Sequence, residues 1–129
     1  FLLPENQFFY VLQNTYIQNM ETINWDDFTK IDLRTGTITA IEEFKEARNP
    51  AYKLLIDFGE LGIKKSSAQI TSLYQPKDLI GTQIIAVVNF PNKQIGPFMS
   101  ECLVLGVQEQ ADVVLITSER RVKNGVKIT

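Results

Sequence analysis

A chain of 129 residues, 44% hydrophobic and 22% charged, has the make-up of one ordinary globular domain with a single core. Its net charge of −2 gives no overall attraction to a polyanion, and its one cysteine excludes an internal disulfide. Histidine is missing, which removes the commonest general base and metal ligand, and no stretch reaches the ~18 apolar residues of a membrane span.

Residues 1–24 read as an N-terminal extension. Pro4 and Glu5 suit a helix start, and Phe8, Phe9, Leu12 and Tyr16 share one helical face, which predicts a helical arm. Met20 resembles an initiator, so residues 1–19 are either an added or upstream piece or a natural arm for packing or dimerisation. Asp26, Asp27 and Phe28 begin a short helical turn.

From Ile31 the pattern is β. Ile31, Leu33 and Thr35 alternate with Asp32 and Arg34, and Gly36 marks a bend or bulge before Thr37–Ile41. Residues 42–50 form an acid-rich loop. A second strand spans 52–58, a hairpin connection 59–62 and a third strand 63–70. A helical turn over Thr71–Tyr74 ends at Pro76, and another at Asp78–Ile80 closes on Gly81. Strand four covers Gln83–Asn89. Phe90–Pro97 is a loop, Phe98–Val107 the fifth strand and Asp112–Thr117 a sixth. Val126–Thr129 is a short seventh.

Five main strands with a helical interruption between the third and fourth predict an all-β OB-fold five-stranded barrel. The expected domain spans 25–129. Its C-terminal β extension, Val113–Ile128, carries apolar residues to be buried across the barrel or against a second subunit. Cys102 reads as a small buried hydrophobe in a reducing compartment.

Charge is unevenly placed. Residues 61–100 hold Lys64, Lys65, Lys77 and Lys93 against Asp78 alone. RNA binding requires cations for phosphates, polar groups for base edges and riboses, and flat or apolar faces for stacking. Arg34 either meets phosphate or a base or serves its own strand. Lys64 and Lys65 are adjacent and point to opposite faces. Ser66-Ser67-Ala68 either admits a ligand backbone or fits a crowded interior. Phe90, Phe98 and Tyr74 are stacking or core aromatics. Catalytic chemistry finds no footing: Cys102 and the serines lack a histidine base. No phosphate-loop, dinucleotide or metal-ligand spacing occurs, so no catalytic residue, metal or cofactor is expected.

Asp32-Leu33-Arg34-Thr35-Gly36-Thr37-Ile38 resembles the opening of the tRNA-binding OB domains found with methionyl- and phenylalanyl-tRNA synthetases and in endothelial monocyte-activating polypeptide. Ala47–Leu54, Ile56–Gly59, Lys64–Ile70, Val87–Pro91 and Gly96–Gly106 resemble the CsaA-type branch of that family. The resemblance covers about residues 25–129. It implies a cytoplasmic, non-catalytic homodimer that binds tRNA. A CsaA-type role as a chaperone in protein secretion, binding unfolded or precursor polypeptides in an apolar groove, is the alternative. The matching RNA-binding positions are Arg34, Lys64, Lys65, Ser66, Asn89, Lys93, Met99, Ser100 and Glu101. Glu101 there is either a base-edge acceptor or an internal partner for a lysine or arginine.

Overall fold

The computed structural model describes residues 20–129, so the expected arm over Pro4–Tyr16 lies outside the described residues. The chain divides into two compact units, one through Lys30 and one spanning Ile31–Thr129. In the first, helix α1 (Trp25–Thr29) starts one residue ahead of the expected acids. Asn24 caps it: Asn24 Oδ1 accepts from the Asp27 N–H at 2.8 Å, and Asp27 Oδ2 accepts from the Asn24 N–H at 3.1 Å.

The second unit holds β1 (Leu33–Glu43), β2 (Tyr52–Asp57), a 3₁₀ turn (Gly59–Leu61), β3 (Ile63–Ala68) and α2 (Pro76–Leu79). It continues with β4 (Gln83–Val87), β5 (Lys93–Ile95), β6 (Phe98–Ser100), β7 (Leu103–Val104), β8 (Gly106–Glu109) and β9 (Asp112–Leu115). A five-stranded antiparallel sheet runs β3-β2-β1-β4-β7. It curls until the Glu101 N–H donates to the Lys65 carbonyl at 2.8 Å, which closes the barrel beside β3. This is the expected all-β OB barrel.

Its core is built by alternation. Ile38 from β1, Leu54 and Ile56 from β2, and Ile84 and Ala86 from β4 point inward with Phe58, Ile70, Leu79 and Cys102. Burying a side chain such as Leu54 contributes roughly 1.5–3 kcal/mol.

Several sequence expectations are corrected. The bulge falls at Thr39, between Ile38 and Ala40 where the β1–β2 register shifts, and not at Gly36. Gly36 is small for a different reason: a Cβ there would lie 2.7 Å from Ile56 Cγ2 and from Phe58 Cε1. Pro76 begins α2 at the first helical turn, where its missing N–H costs nothing, and does not end a helix over 71–74. The loop 90–97 contains β5, which pairs with β6 as a hairpin. The long fifth strand breaks into β6, β7 and β8 as it changes partners from β5 to β4 to β9. The seventh strand is reduced to one bridge, Lys127 to Arg34.

That last contact belongs to a larger feature. The segment 122–128 lies along β1. The Thr35 N–H donates to the Val126 carbonyl (3.1 Å), Gly125 N–H to the Thr35 carbonyl (2.7 Å), and Ile128 N–H to the Leu33 carbonyl (2.9 Å). It covers Thr35 and Thr37, so β1 is buried on both faces from Thr35 to Ile38.

Candidate nucleic-acid interface

The expected site residues divide among three places. Arg34 belongs to the C-terminal clasp. Its Nε and a terminal nitrogen donate to both Asp32 carboxylate oxygens (2.7 and 3.3 Å), and its other nitrogen donates to the Gly125 carbonyl (3.0 Å). The planar fork is thereby used in holding 125–127 to β1. Asn89, just past β4, accepts the Asp32 N–H on its Oδ1 at 3.0 Å. It steadies the turn that carries Arg34's partner.

Ser66 and Glu101 serve barrel closure. Ser66 is 1% exposed, and its hydroxyl donates to the Cys102 carbonyl at 2.9 Å. Of the two readings for Ser66-Ser67-Ala68, the crowded interior holds for Ser66. Glu101 is an internal partner, but of backbone and not of a cation: its Oε1 accepts the Lys65 N–H at 2.9 Å. Cys102 is buried with its neighbours, and desolvation pushes its thiol up to about 11.

Of the remaining residues, Lys93 and Ser100 line a groove of about 630 Å³ where β3 and β7 diverge beyond the 65–101 contact. Lys93 stands exposed at its rim, directly across the β5–β6 hairpin from Ser100. Ser100 Oγ accepts the Ser67 N–H at 3.4 Å, so hairpin and β3 meet there. Ser67, Ser100, Phe90 and Lys93 edge the groove, while Ile70, Val104, Val113 and Leu115 give it an apolar wall. Phe90 is 56% exposed, as a stacking aromatic must be. Tyr74 is structural: its phenol oxygen accepts from the Leu115 N–H (3.1 Å), and its carbonyl accepts from the Tyr52 hydroxyl (2.8 Å). Met99 is half-buried opposite Gln94.

Lys64 and Lys65 do face opposite sides of β3. Lys64 shares the inward parity of Ser66 and lies close enough to Cys102 to favour its thiolate. Lys65 lies on the outer face, its ammonium 5.5 Å from the Phe98 ring centroid. Lys64, Lys65 and Lys93 form no ion pair among the described residues, so their charge is open to a polyanion. Residues 33–127 match the family model described as "Putative tRNA binding domain".

The chain belongs to the tRNA-binding domain family. It is 59% identical to the chaperone CsaA of Bacillus anthracis str. Ames, with a TM-score of 0.80 over 84% of this chain and 100% of that one. The CsaA chaperone protein of Picrophilus torridus is 51% identical, with the same TM-score and coverage. The methionine–tRNA ligase of Listeria monocytogenes serovar 1/2a is 31% identical over 117 residues. The match covers 87% of this chain and 17% of the ligase, so the chain spans only a small part of that relative.

Sequence reading missed Lys53 and the buried ring of Phe44 beneath it. Lys53 is paired in β2 with Ser67 and packs over Phe44 and Phe98. Strand parity places residues 53, 65 and 67 on one face, and that signal was available. The approach of Phe44 from the 44–51 loop was not. Among the described residues no helix is long and apolar enough to cross a membrane.

Proposed function

We propose that this tRNA-binding domain engages tRNA at the rim formed by β3 and the β5–β6 hairpin, and that it catalyses no reaction of its own. The supporting observation is Lys93, exposed and without an ion pair among the described residues, beside the polar junction of Ser67 and Ser100 and the exposed ring of Phe90. Lys93 supplies a phosphate contact, Lys64 and Lys65 reinforce the local potential, and the serines reach ribose or base edges. Met99 lies within the hairpin opposite Gln94, and Asn89 follows β4, where it accepts the Asp32 N–H. A cytoplasmic location is part of this proposal and is supported by the tRNA ligand it assigns.

A titration of tRNA at two salt concentrations tests this reading. Affinity falls with added salt, and Lys93→Ala weakens binding while lowering the salt slope by about one. Binding indifferent to salt, or to loss of Lys93, rules the reading out.

The groove itself favours a second role of the CsaA type, in which unfolded or precursor polypeptides are held during secretion. Its wall is apolar, and the Ser67 carbonyl at its edge takes no hydrogen bond among the described residues, so an extended peptide can add there as a strand. Val104→Lys at the wall abolishes suppression of aggregation of a denatured client if this role is real. Unaltered suppression removes it. Homodimerisation is part of the proposal. Val107 and Val114, paired across β8 and β9, are 53% and 41% exposed and supply an apolar patch for a second copy. Sedimentation of Val114→Lys as a monomer supports this; an unchanged dimer refutes it.

A further inference from the structure

The C-terminal clasp carries the only Asn-Gly pair in the sequence, Asn124-Gly125. In a mobile chain such a pair is chemically fragile. The Gly125 backbone nitrogen, with no side chain of its own residue in the way, gives up its proton and attacks Asn124 Cγ. The bond from Cγ to the side-chain nitrogen breaks, ammonia leaves, and a succinimide ring closes. One water then opens the ring at either carbonyl. The product is aspartate, or isoaspartate, in which the main chain runs through the side-chain methylene.

We propose that Asn124-Gly125 is a modification site gated by the clasp: deamidation takes place only while the 122–128 segment is lifted from β1, and the isoaspartyl product prevents it from closing again. The inference is independent of any ligand.

Three observations carry it. First, the fold requires the fragile pair. Gly125 has φ of +82°, and a Cβ on it would collide with the Phe58 carbonyl oxygen, so no bulkier residue can stand there to shield Asn124. Asn124 is needed as an acceptor: its Oδ1 takes the Thr37 hydroxyl at 2.7 Å and Gln83 Nε2 at 3.2 Å.

Second, the closed clasp withholds the nucleophile. The Gly125 N–H donates to the Thr35 carbonyl at 2.7 Å, and the Val126 N–H and carbonyl are both bonded to Thr35 as well. The Gly125 nitrogen can therefore neither lose its proton to solvent nor turn toward Cγ. The electrophile is poised, since Thr37 and Gln83 aim donors at the oxygen on which charge develops. Protection thus rests on the backbone bonds to β1 and is lost whenever the segment lifts.

Third, the two products differ in fit. Aspartate offers an oxygen to the same two donors, and Arg121, whose Nη2 donates to the Thr37 hydroxyl at 3.2 Å, brings a cation near it. Isoaspartate inserts a main-chain carbon between Lys123 and Gly125. The Lys123 carbonyl and the Gly125 N–H are both anchored on Thr35, each at 2.7 Å, so the added carbon cannot be absorbed without giving up one anchor.

The test incubates the full chain in mildly alkaline buffer across a series of urea concentrations. Peptide mass mapping follows conversion at Asn124, with Asn89 and Asn92 as internal references, and hydrogen exchange follows the Gly125 amide. In the unfolded chain Asn124 converts ahead of both references. In the folded chain it converts at least about tenfold more slowly, and the conversion and exchange rates rise together with urea. After removal of urea, Asn124→Asp and the aspartyl product regain the parent's protection at Gly125, whereas the isoaspartyl product does not. Equal conversion rates in the folded and unfolded chain, or conversion that stays flat while exchange at Gly125 rises, overturns the gate. An isoaspartyl chain that regains full protection overturns the block on reclosure.

Discussion

Glu101 holds Lys65 twice. The Glu101 N–H donates to the Lys65 carbonyl at 2.8 Å, and the Glu101 carboxylate accepts the Lys65 N–H at 2.9 Å. The side chain performs the task of a ladder partner at the point where β3 and the chain before β7 begin to diverge. One acidic residue thus ends the barrel seam and opens the groove beyond it.

Removing that carboxylate leaves a half-buried N–H without its partner. Glu101→Ala is expected to destabilise the domain by about 1–3 kcal/mol, whereas Glu101→Gln, whose amide oxygen still accepts, retains most of the stability. Urea unfolding midpoints of the two variants measure the difference. Equal midpoints would show that the seam does not depend on this contact.

Gly36 has room for no side chain. Ile56 Cγ2 and Phe58 Cε1 occupy the space a Cβ would take, and both belong to the fully buried core. Gly36→Ala is expected to cost about 1–3 kcal/mol through overpacking. A thermal melt within a degree of the parent's would contradict it.

Gln83 ties the C-terminal segment to the barrel. Its Nε2 donates to the Val122 carbonyl at 2.7 Å and its Oε1 accepts the Val122 N–H at 3.0 Å. Thr35 and Thr37 hydroxyls donate to the Lys123 carbonyl and Asn124 Oδ1, each at 2.7 Å. Gln83→Met keeps the volume and removes the side-chain hydrogen bonds to Val122, Asn124 and Ser118, so trypsin is expected to cut faster at Arg120, Arg121 and Lys123. Cleavage at the parent's rate counts against a clasp.

Arg34 and Lys93 are expected to separate stability from binding. Arg34→Met loses the Asp32 pair and the Gly125 bond, and lowers the melting temperature while leaving the salt dependence of tRNA binding unchanged. Lys93→Ala does the reverse. An Arg34 variant that lowers the salt slope instead would return this residue to the RNA surface.

Burial sets the behaviour of Cys102. Its thiol ionises near 11 in the folded chain because desolvation outweighs the Ser66 hydrogen bond and the nearby Lys64 charge. Below about pH 9 the group is protonated whether folded or unfolded and contributes no pH dependence. Between about 9 and about 11 only the unfolded chain ionises, so stability attributable to this group declines as pH rises. Iodoacetamide at pH 9 should label the folded protein far more slowly than the urea-unfolded one, and comparable rates would disprove the burial.

How much of this was written in residue order varies by level. The runs Tyr52–Phe58 and Gln83–Asn89 show their strands openly, because a barrel strand buries alternate or near-continuous apolar residues whatever its partners. The position of Gly81 announced a turn, since its φ of +86° suits a residue without a side chain. The OB layout and the absence of a histidine-based chemistry followed from such local features. What could not be read was which polar group meets which. Arg34, Ser66 and Glu101 have the residue types of RNA contacts. They are engaged by Gly125, Cys102 and Lys65, partners 91, 36 and 36 positions away. Hydrogen-bonding capacity is a property of the side chain, but its use is decided by whatever the closed barrel brings within 3 Å. For the same reason the return of the 44–51 loop, which brings the buried ring of Phe44 against Phe98, leaves no periodic trace, whereas strand parity does place Lys53 on one face with residues 65 and 67.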